Sequence, residues 1–429
     1  MYYTVDRSRL SGTIAVTASK SHTMRAVLLA LMAQGTSHIR RPLASPDTMA
    51  MIAACRALGA VIEEEADGLR VEGTGGTLSV PQQVIDVGNS GQVLRFAGAL
   101  AATLPLYTVL TGDASVCGIR PMQPLLDALG QLGAFAVSSK GDGRAPVIIR
   151  GPVSSGHVTM DGQDSQPVSA VLFLAAFLPG VTIIDVRDPG ETPWIDLTLH
   201  WLDRLGVRYE NRAYTRYAVQ GPATVQGFEY TVPGDWSSAA FPLAAALLTN
   251  SAVTLENMDI NDPQGDKAVL ELFRRMGAGL DVDATAHTVT VRPHQGLHGI
   301  EADLNAVIDA LPVLATVACF ADSATILSGA AIARHKESDR IAAISAELSK
   351  MGARIEERDD GLIIHPAALH GAEVNSRHDH RIAMSLAVAG MACGATCVHD
   401  IACVSKSFPG FAAAMRGLEA AIVETEQGA

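Results

Sequence analysis

Eight basic residues stand out for their surroundings rather than their number. Lys20 and Arg25 lie in 18–25 (ASKSHTMR), Arg95 follows 88–92 (GNSGQ), and Arg120 lies in 119–122 (IRPM). Lys336 and Arg340 lie in 335–340 (HKESDR), Arg381 ends 377–381 (RHDHR), and Lys406 lies in 404–409 (VSKSFP). Each has Ser, Asn, Asp or Gly close by. Such residues cap helix starts, where backbone N–H groups point outward unpaired. Capping does not account for the cations, because a positive charge at a helix N-terminus opposes the macrodipole. A start with free N–H groups and a Lys or Arg is suited to holding an anion. Two further starts, 161–166 (DGQDSQ) and 233–238 (PGDWSS), carry only the capping types, and Asp309 follows 303–305 (DLN).

The motifs at 18–25, 88–92, 161–166, 233–238, 303–309 and 377–381 share one phase of a repeat, while those holding Arg120, Lys336 with Arg340, and Lys406 fall between the units. Apolar, small-residue helices are expected over 25–33, 93–102, 168–178, 239–248, 311–320 and 381–391, each just after one of the polar starts. A second helix in each unit ends in Leu-Gly-Ala or a variant, with Gly59, Gly133, Gly206, Gly277 and Gly352 at spacings of 74, 73, 71 and 75. Each Gly closes a helix pattern and precedes a β-like run, so it reads as a C-cap. A sixth copy falls near residue 424, where the Gly is lost. The unit reads as helix, strand, helix, strand, strand over about 70 residues, too long for a solenoid and consistent with pseudo-symmetric α/β modules sharing cores.

Composition narrows the partners. The 429 residues carry 32 basic and 45 acidic side chains, a net charge of −13. Nucleic acid and membrane surfaces call for a basic face, so neither is expected. The six cysteines show no zinc spacing and read as free thiols. No apolar run reaches the ~18–20 residues of a membrane span, and no signal core opens the chain. A cytoplasmic protein is expected.

Taken in order, Ser19-Lys20-Ser21 with Arg25, Gly88-Asn89-Ser90-Gly91 with Arg95, Arg120-Pro121, Ser165-Gln166, Ile308-Asp309, Lys336 to Arg340, Asp379-His380-Arg381 and Lys406 to Pro409 resemble the 5-enolpyruvylshikimate-3-phosphate (EPSP) synthase family across nearly the whole chain. The KESDR and DHR segments are the most specific. The resemblance implies a two-domain inside-out α/β barrel of six pseudo-repeats. One domain would be 1–18 plus 234–429 and the other 19–233, with the active site in the cleft. It implies transfer of the enolpyruvyl group of phosphoenolpyruvate to the 5-hydroxyl of shikimate-3-phosphate, releasing phosphate, on the route to chorismate and aromatic amino acids. A monomer without metal or organic cofactor is expected, and inhibition by glyphosate.

Carried over residue by residue, the resemblance assigns phosphoenolpyruvate to Lys20, Gly91, Arg120, Gln166, Arg340, Arg381 and Lys406. It assigns shikimate-3-phosphate to Lys20, Ser21, Arg25, Ser165, Gln166, Asp309 and Lys336. Lys20, Asp309, Glu337 and Lys406 are the candidates for the two proton movements, from the acceptor hydroxyl and to and from the methylene carbon.

Two positions depart from the family. Asp164 replaces the first Ser of a Ser-Ser-Gln triplet, and Glu191, three residues before Trp194, replaces a Ser. Both would face the acceptor's phosphate. A like-charge pair at ~4 Å costs on the order of 4 kcal/mol at an effective dielectric of 20. Three readings stay open. The carboxylates turn away to cations such as Arg187, leaving Ser165 and Lys336 to hold the phosphate. They are partly protonated. Or the acceptor lacks the phosphate or carries an amine. Transfer to UDP-N-acetylglucosamine is a further alternative, prompted by Cys117 before Arg120-Pro121, and a non-catalytic homologue is another.

Overall fold

Gly59, Gly133, Gly206, Gly277 and Gly352 all have positive φ, between 69° and 114°. This left-handed turn costs a Cβ-bearing residue and leaves Gly unstrained. It lets two backbone N–H groups turn back onto the helix end: Gly59 N donates to Arg56 O at 3.1 Å and Ala60 N to Cys55 O at 3.0 Å. The same pair of bonds recurs at Gly133, Gly206, Gly277 and Gly352, satisfying the last carbonyls of five helices. The sixth helix, Phe411–Gly417, ends identically, with Ala420 N donating to Met415 O at 3.0 Å. There Glu419 takes the glycine's place at φ +68°.

The computed structural model describes residues 1–426. It contains six four-stranded sheets of one pattern. In the sheet formed from the third repeat, His157–Asp161 runs parallel to Gly180–Arg187. That strand pairs antiparallel with Arg216–Gly221, which pairs with Arg208–Arg212. The sequence pattern of helix, strand, helix, strand, strand therefore lacks one element: a leading strand before the first helix. Ile85–Asp86 and Glu301–Asp303 show why. They are two and three residues long and half polar, too short for an alternation to register.

Two compact units divide the chain, Ala18–Val232 and Met1–Thr17 with Pro233–Ala429. Each borrows strands across its own sequence. In the first, Glu229–Thr231 supplies the leading strand beside Thr36–Arg40. In the second, Ser11–Ala15 leads the sheet of Ala252–Glu256. Tyr2–Val5 lies between Thr396–His399 and Ile422–Thr425, antiparallel to both.

The first helices of the repeats are Lys20–Met32, Gly91–Ala101, Ser165–Phe177, Trp236–Leu248, Leu311–Ala318 and His380–Cys393. They are buried nearly all round, with Ala, Gly and Ser allowing close approach. In the discontinuous unit all three pack on one another, and in the other the second packs on the first and the third. Sheets lie outside these helices and alternate buried and exposed residues, as in Thr288–Arg292. Helices within and strands without make each unit an inside-out α/β module. No helix among the described residues is long and apolar enough to cross a membrane.

Candidate active site

Five of the six core helices begin at a side-chain cap. Ser19, Ser90, Asp164, Asp235 and Asp379 each accept a hydrogen bond from a backbone N–H of the following turn. The fifth starts instead from the 3-10 turn Ile308–Ala310, which carries Asp309. The polar residues next to these caps gather into one cluster in each unit.

In the Ala18–Val232 unit the cluster is built around Gly91. A Cβ there would lie 2.8 Å from Arg95 Nη1, 3.5 Å from Arg120 Nη1 and 3.6 Å from Gln166 Oε1. Absence of a side chain therefore allows two guanidinium groups and an amide to converge on a helix N-terminus. Arg95, 1 % exposed, donates to Gln166 Oε1 at 2.8 Å and to Pro121 O at 2.8 Å. Lys20 pairs with Asp47 at 3.4 Å. Asp47 lies in the first turn of Pro46–Ala57 and was missed in the sequence. The signal available was the Ser45-Pro46 helix start just before it.

Arg25 is 3 % exposed and, among the described residues, donates only to neutral groups: Thr198 Oγ1, Ser21 O and Trp194 O. Its guanidinium also lies over the Phe96 ring, 5.3 Å from the centroid. Burial pushes its pKa down to about 9. A buried cation without a carboxylate partner is well suited to an anionic ligand.

Asp164 turns to a cation, as the first reading has it, though to Arg95 and not Arg187, while Glu191 turns to Ser165. Asp164 pairs with Arg95 at 3.0 Å and accepts from Gln166 N. Arg187, named as a partner, is exposed at the end of its strand. Glu191, 1 % exposed and left-handed at φ +49°, accepts from both Ser165 N and Ser165 Oγ at 3.0 Å. Its carboxylate thus occupies the N-terminus of the third core helix, where helix dipole and hydroxyl favour an anion. Ser165 is not left open by these acids; its hydroxyl already serves one of them.

In the discontinuous unit, five side chains form a line of alternating charge. Lys406 Nζ meets Glu337 Oε1 at 2.9 Å, and Glu337 Oε2 meets Arg340 Nη2 at 2.6 Å. Arg340 Nη1 meets Asp309 Oδ1 at 2.6 Å, and Asp309 Oδ2 meets Arg381 Nη2 at 2.7 Å. Asp379 supports the line from below. It accepts from Arg340 Nε at 2.7 Å, from Ser338 Oγ and from Arg381 N. Burial would raise the pKa of Asp309, but Arg381, Arg340 and Lys336 outweigh it and hold the carboxylate well below its usual range. Burial likewise opposes the charge on Arg340, and Asp379, Glu337 and Asp309 more than restore it. Among the described residues no group of three or more His, Cys, Asp or Glu is arranged to hold a metal ion.

The structure thus brings Gly91, Arg95, Arg120, Asp164 and Gln166 together in one unit, and Asp309, Glu337, Arg340, Arg381 and Lys406 in the other. The family model for EPSP synthase (3-phosphoshikimate 1-carboxyvinyltransferase) matches residues 5–415. The chain belongs to the EPSP synthase family. A 3-phosphoshikimate 1-carboxyvinyltransferase of Ruminiclostridium cellulolyticum is 41% identical over 412 residues, covering 96% of this chain and 97% of that one. Its counterpart in Acetivibrio thermocellus is 42% identical with 96% of both chains covered. An EPSP synthase structure from Acinetobacter baumannii superposes with a TM-score of 0.83 at 28% identity, covering 99% of this chain and 100% of that one. The six-repeat fold described above is thus the fold of solved EPSP synthases.

Proposed function

We propose that the protein transfers the enolpyruvyl group of phosphoenolpyruvate to the 5-hydroxyl of shikimate-3-phosphate, releasing phosphate. Membership of the EPSP synthase family over residues 5–415 carries this reading. The two clusters supply what the reaction needs.

In this reading Lys20, Gly91, Arg120, Gln166, Arg340, Arg381 and Lys406 hold phosphoenolpyruvate, whose phosphate and carboxylate suit guanidinium forks. Ser21 and Arg25 receive the acceptor's carboxylate, which gives the buried Arg25 its counter-charge. Lys20, Ser165, Gln166, Asp309 and Lys336 complete the acceptor's contacts. The acceptor hydroxyl attacks the enol carbon and gives up its proton as the methylene carbon gains one. The tetrahedral adduct then loses a proton from the methyl group so formed as phosphate leaves, restoring the enol ether's methylene.

Asp309 is the base for the hydroxyl in this scheme. Clasped between Arg340 and Arg381 it is fully ionised yet weakly basic. Phosphoenolpyruvate, by engaging those guanidinium groups, shares their charge and raises the proton affinity of Asp309 once it is bound. Glu337 and Lys406, paired at 2.9 Å, are the couple assigned to the methylene carbon. Lys20 is the fourth candidate. No metal or cofactor enters the scheme. A monomeric, cytoplasmic protein inhibited by glyphosate completes the proposal.

One observation favours a second reading. Glu191 occupies the Ser165 N–H and hydroxyl that the acceptor's phosphate would use. An acceptor with a neutral or amino group at that carbon would leave the contact undisturbed. Phosphate release measured with phosphoenolpyruvate and either shikimate-3-phosphate or shikimate separates the two. Release with the former and not the latter is expected. Release with shikimate alone would establish the second reading, release with UDP-N-acetylglucosamine another acceptor class, and release with none a non-catalytic protein.

A further inference from the structure

Asp266 lies in the first turn of Gly265–Ala268, a segment outside the phased motifs of the repeat. It is 2 % exposed, and neither carboxyl oxygen meets a hydrogen-bond donor from any other residue; only its own backbone N–H bears on the carboxyl. No other carboxyl among the described residues has both oxygens buried in this way. The loop around it is fixed by other contacts. Gln264 Oε1 accepts from Trp236 N at 3.1 Å and Gln264 Nε2 donates to Gly234 O at 2.9 Å. Lys267 Nζ donates to Ile260 O and Asp262 O. The loop therefore holds Asp266 in place, rather than the reverse.

An ionised carboxylate with no outside donor at either oxygen carries the penalty of a buried unpaired charge; a neutral acid avoids most of it. The surrounding charges are divided, with the acids in the majority. Asp309 and Asp235 both oppose ionisation, and Arg381 favours it. Arg381 is already committed to Asp309 and to Ser237 Oγ at 3.0 Å. Asp235 accepts from Ser237 Oγ and Ser238 N at the start of the fourth core helix. On the turn itself Lys267 is engaged by carbonyls, and Asp262 accepts from Gln264 N. The helix Val269–Arg275 behind it carries Glu271, Arg274 and Arg275 on its exposed side. Burial first, then Asp309, raise the pKa of Asp266 well above the usual carboxylate range.

We propose that Asp266 is a positioning residue for the Asp309–Arg381 pair, a neutral acid whose missing charge leaves Arg381 undivided between Asp309 and the bound anion. Once Asp266 ionises, a second carboxylate competes for Arg381 and the grip on phosphoenolpyruvate loosens. The inference rests on the reading of Arg381 as a phosphoenolpyruvate ligand.

The test is the pH dependence of KM for phosphoenolpyruvate in wild type and Asp266→Asn. Above the ionisation of Asp266 the wild-type KM rises by up to about tenfold per pH unit. Asp266→Asn, which stays neutral, has a KM within about threefold of wild type at neutral pH and lacks that alkaline rise. An unchanged alkaline rise in the variant would overturn the proposal. So would a loss of about a hundredfold at neutral pH, which would mean that the charge is needed. Infrared spectra of the wild type decide the protonation state even if the variant does not fold. A protonated-carboxyl stretch persisting at about pH 8 is expected, and its absence overturns the assignment. If Arg381→Gln left the KM for phosphoenolpyruvate unchanged, the site reading and the consequence drawn from it would both fall. The infrared band would still report on Asp266 by itself.

Discussion

At the scale of single residues, the cluster around Asp309 separates holding a charge from moving a proton. Two guanidinium groups on one carboxylate make it a poor base until a ligand draws them off. Asp309→Asn is expected to lower kcat by about 10²–10⁴-fold with a smaller change in either KM. Stopped-flow phosphate release with a circular-dichroism check of folding measures this, and near-normal turnover would remove Asp309 from the role of base. Glu191 gives the second prediction. If the acceptor carries a phosphate, that group must displace or adjoin a buried carboxylate. Glu191→Ser then lowers KM for shikimate-3-phosphate at least about tenfold, a fraction of the ~4 kcal/mol available to a like-charge pair at 4 Å. An unchanged KM would show that the phosphate never approaches this helix end. The two departures in sequence were legible as departures, because Ser-to-acid changes stand out against a motif. Where the carboxylates point was not. That depends on Glu191 adopting φ +49° and on Arg95 reaching Asp164, neither of which is a property of residue type.

At the scale of elements, legibility followed how narrowly a position constrains its residue. The Gly ends of five helices could be read because a left-handed terminus nearly demands Gly, and so could the cap residues. The leading strands could not, since pairing within a sheet asks little of two or three residues. Asp266 also escaped notice: it lies between helix starts, and one Asp in a polar loop carries no sign that it is buried. The sixth repeat tests the glycine argument. Glu419 keeps both turn hydrogen bonds at a strained φ of +68°. It is exposed, so its replacement disturbs no packing. Glu419→Gly should stabilise the protein by about 1 kcal/mol, raising the melting temperature of a cooperative unit of this size by about 2–4 °C. A calorimetric scan with no gain would mean that the Glu side chain offsets the strain.

For the whole molecule, the repeats of the discontinuous unit close on themselves. Tyr2 pairs with Thr425 in register, so two strands more than 400 residues apart in sequence are joined in one sheet. A circular permutant linking these strands and opened at the exposed Gly75-Gly76 turn should fold. It should stay within about 2 kcal/mol of wild type in denaturant titrations, because the cut breaks no strand pairing. Failure to fold would show that the order of the chain, and not only its contacts, is required. That order has a consequence during synthesis. A ribosome delivers Tyr2–Val5 some 390 residues before either of its neighbours, Thr396–His399 and Ile422–Thr425. Until they are made, this strand waits with its backbone unpaired, an open invitation to wrong partners. Meanwhile the contiguous 18–232 segment can complete its own core. The nascent chain thus finishes its inserted half before its outer half can close, and a chaperone that shelters Tyr2–Val5 would protect the step most exposed to error.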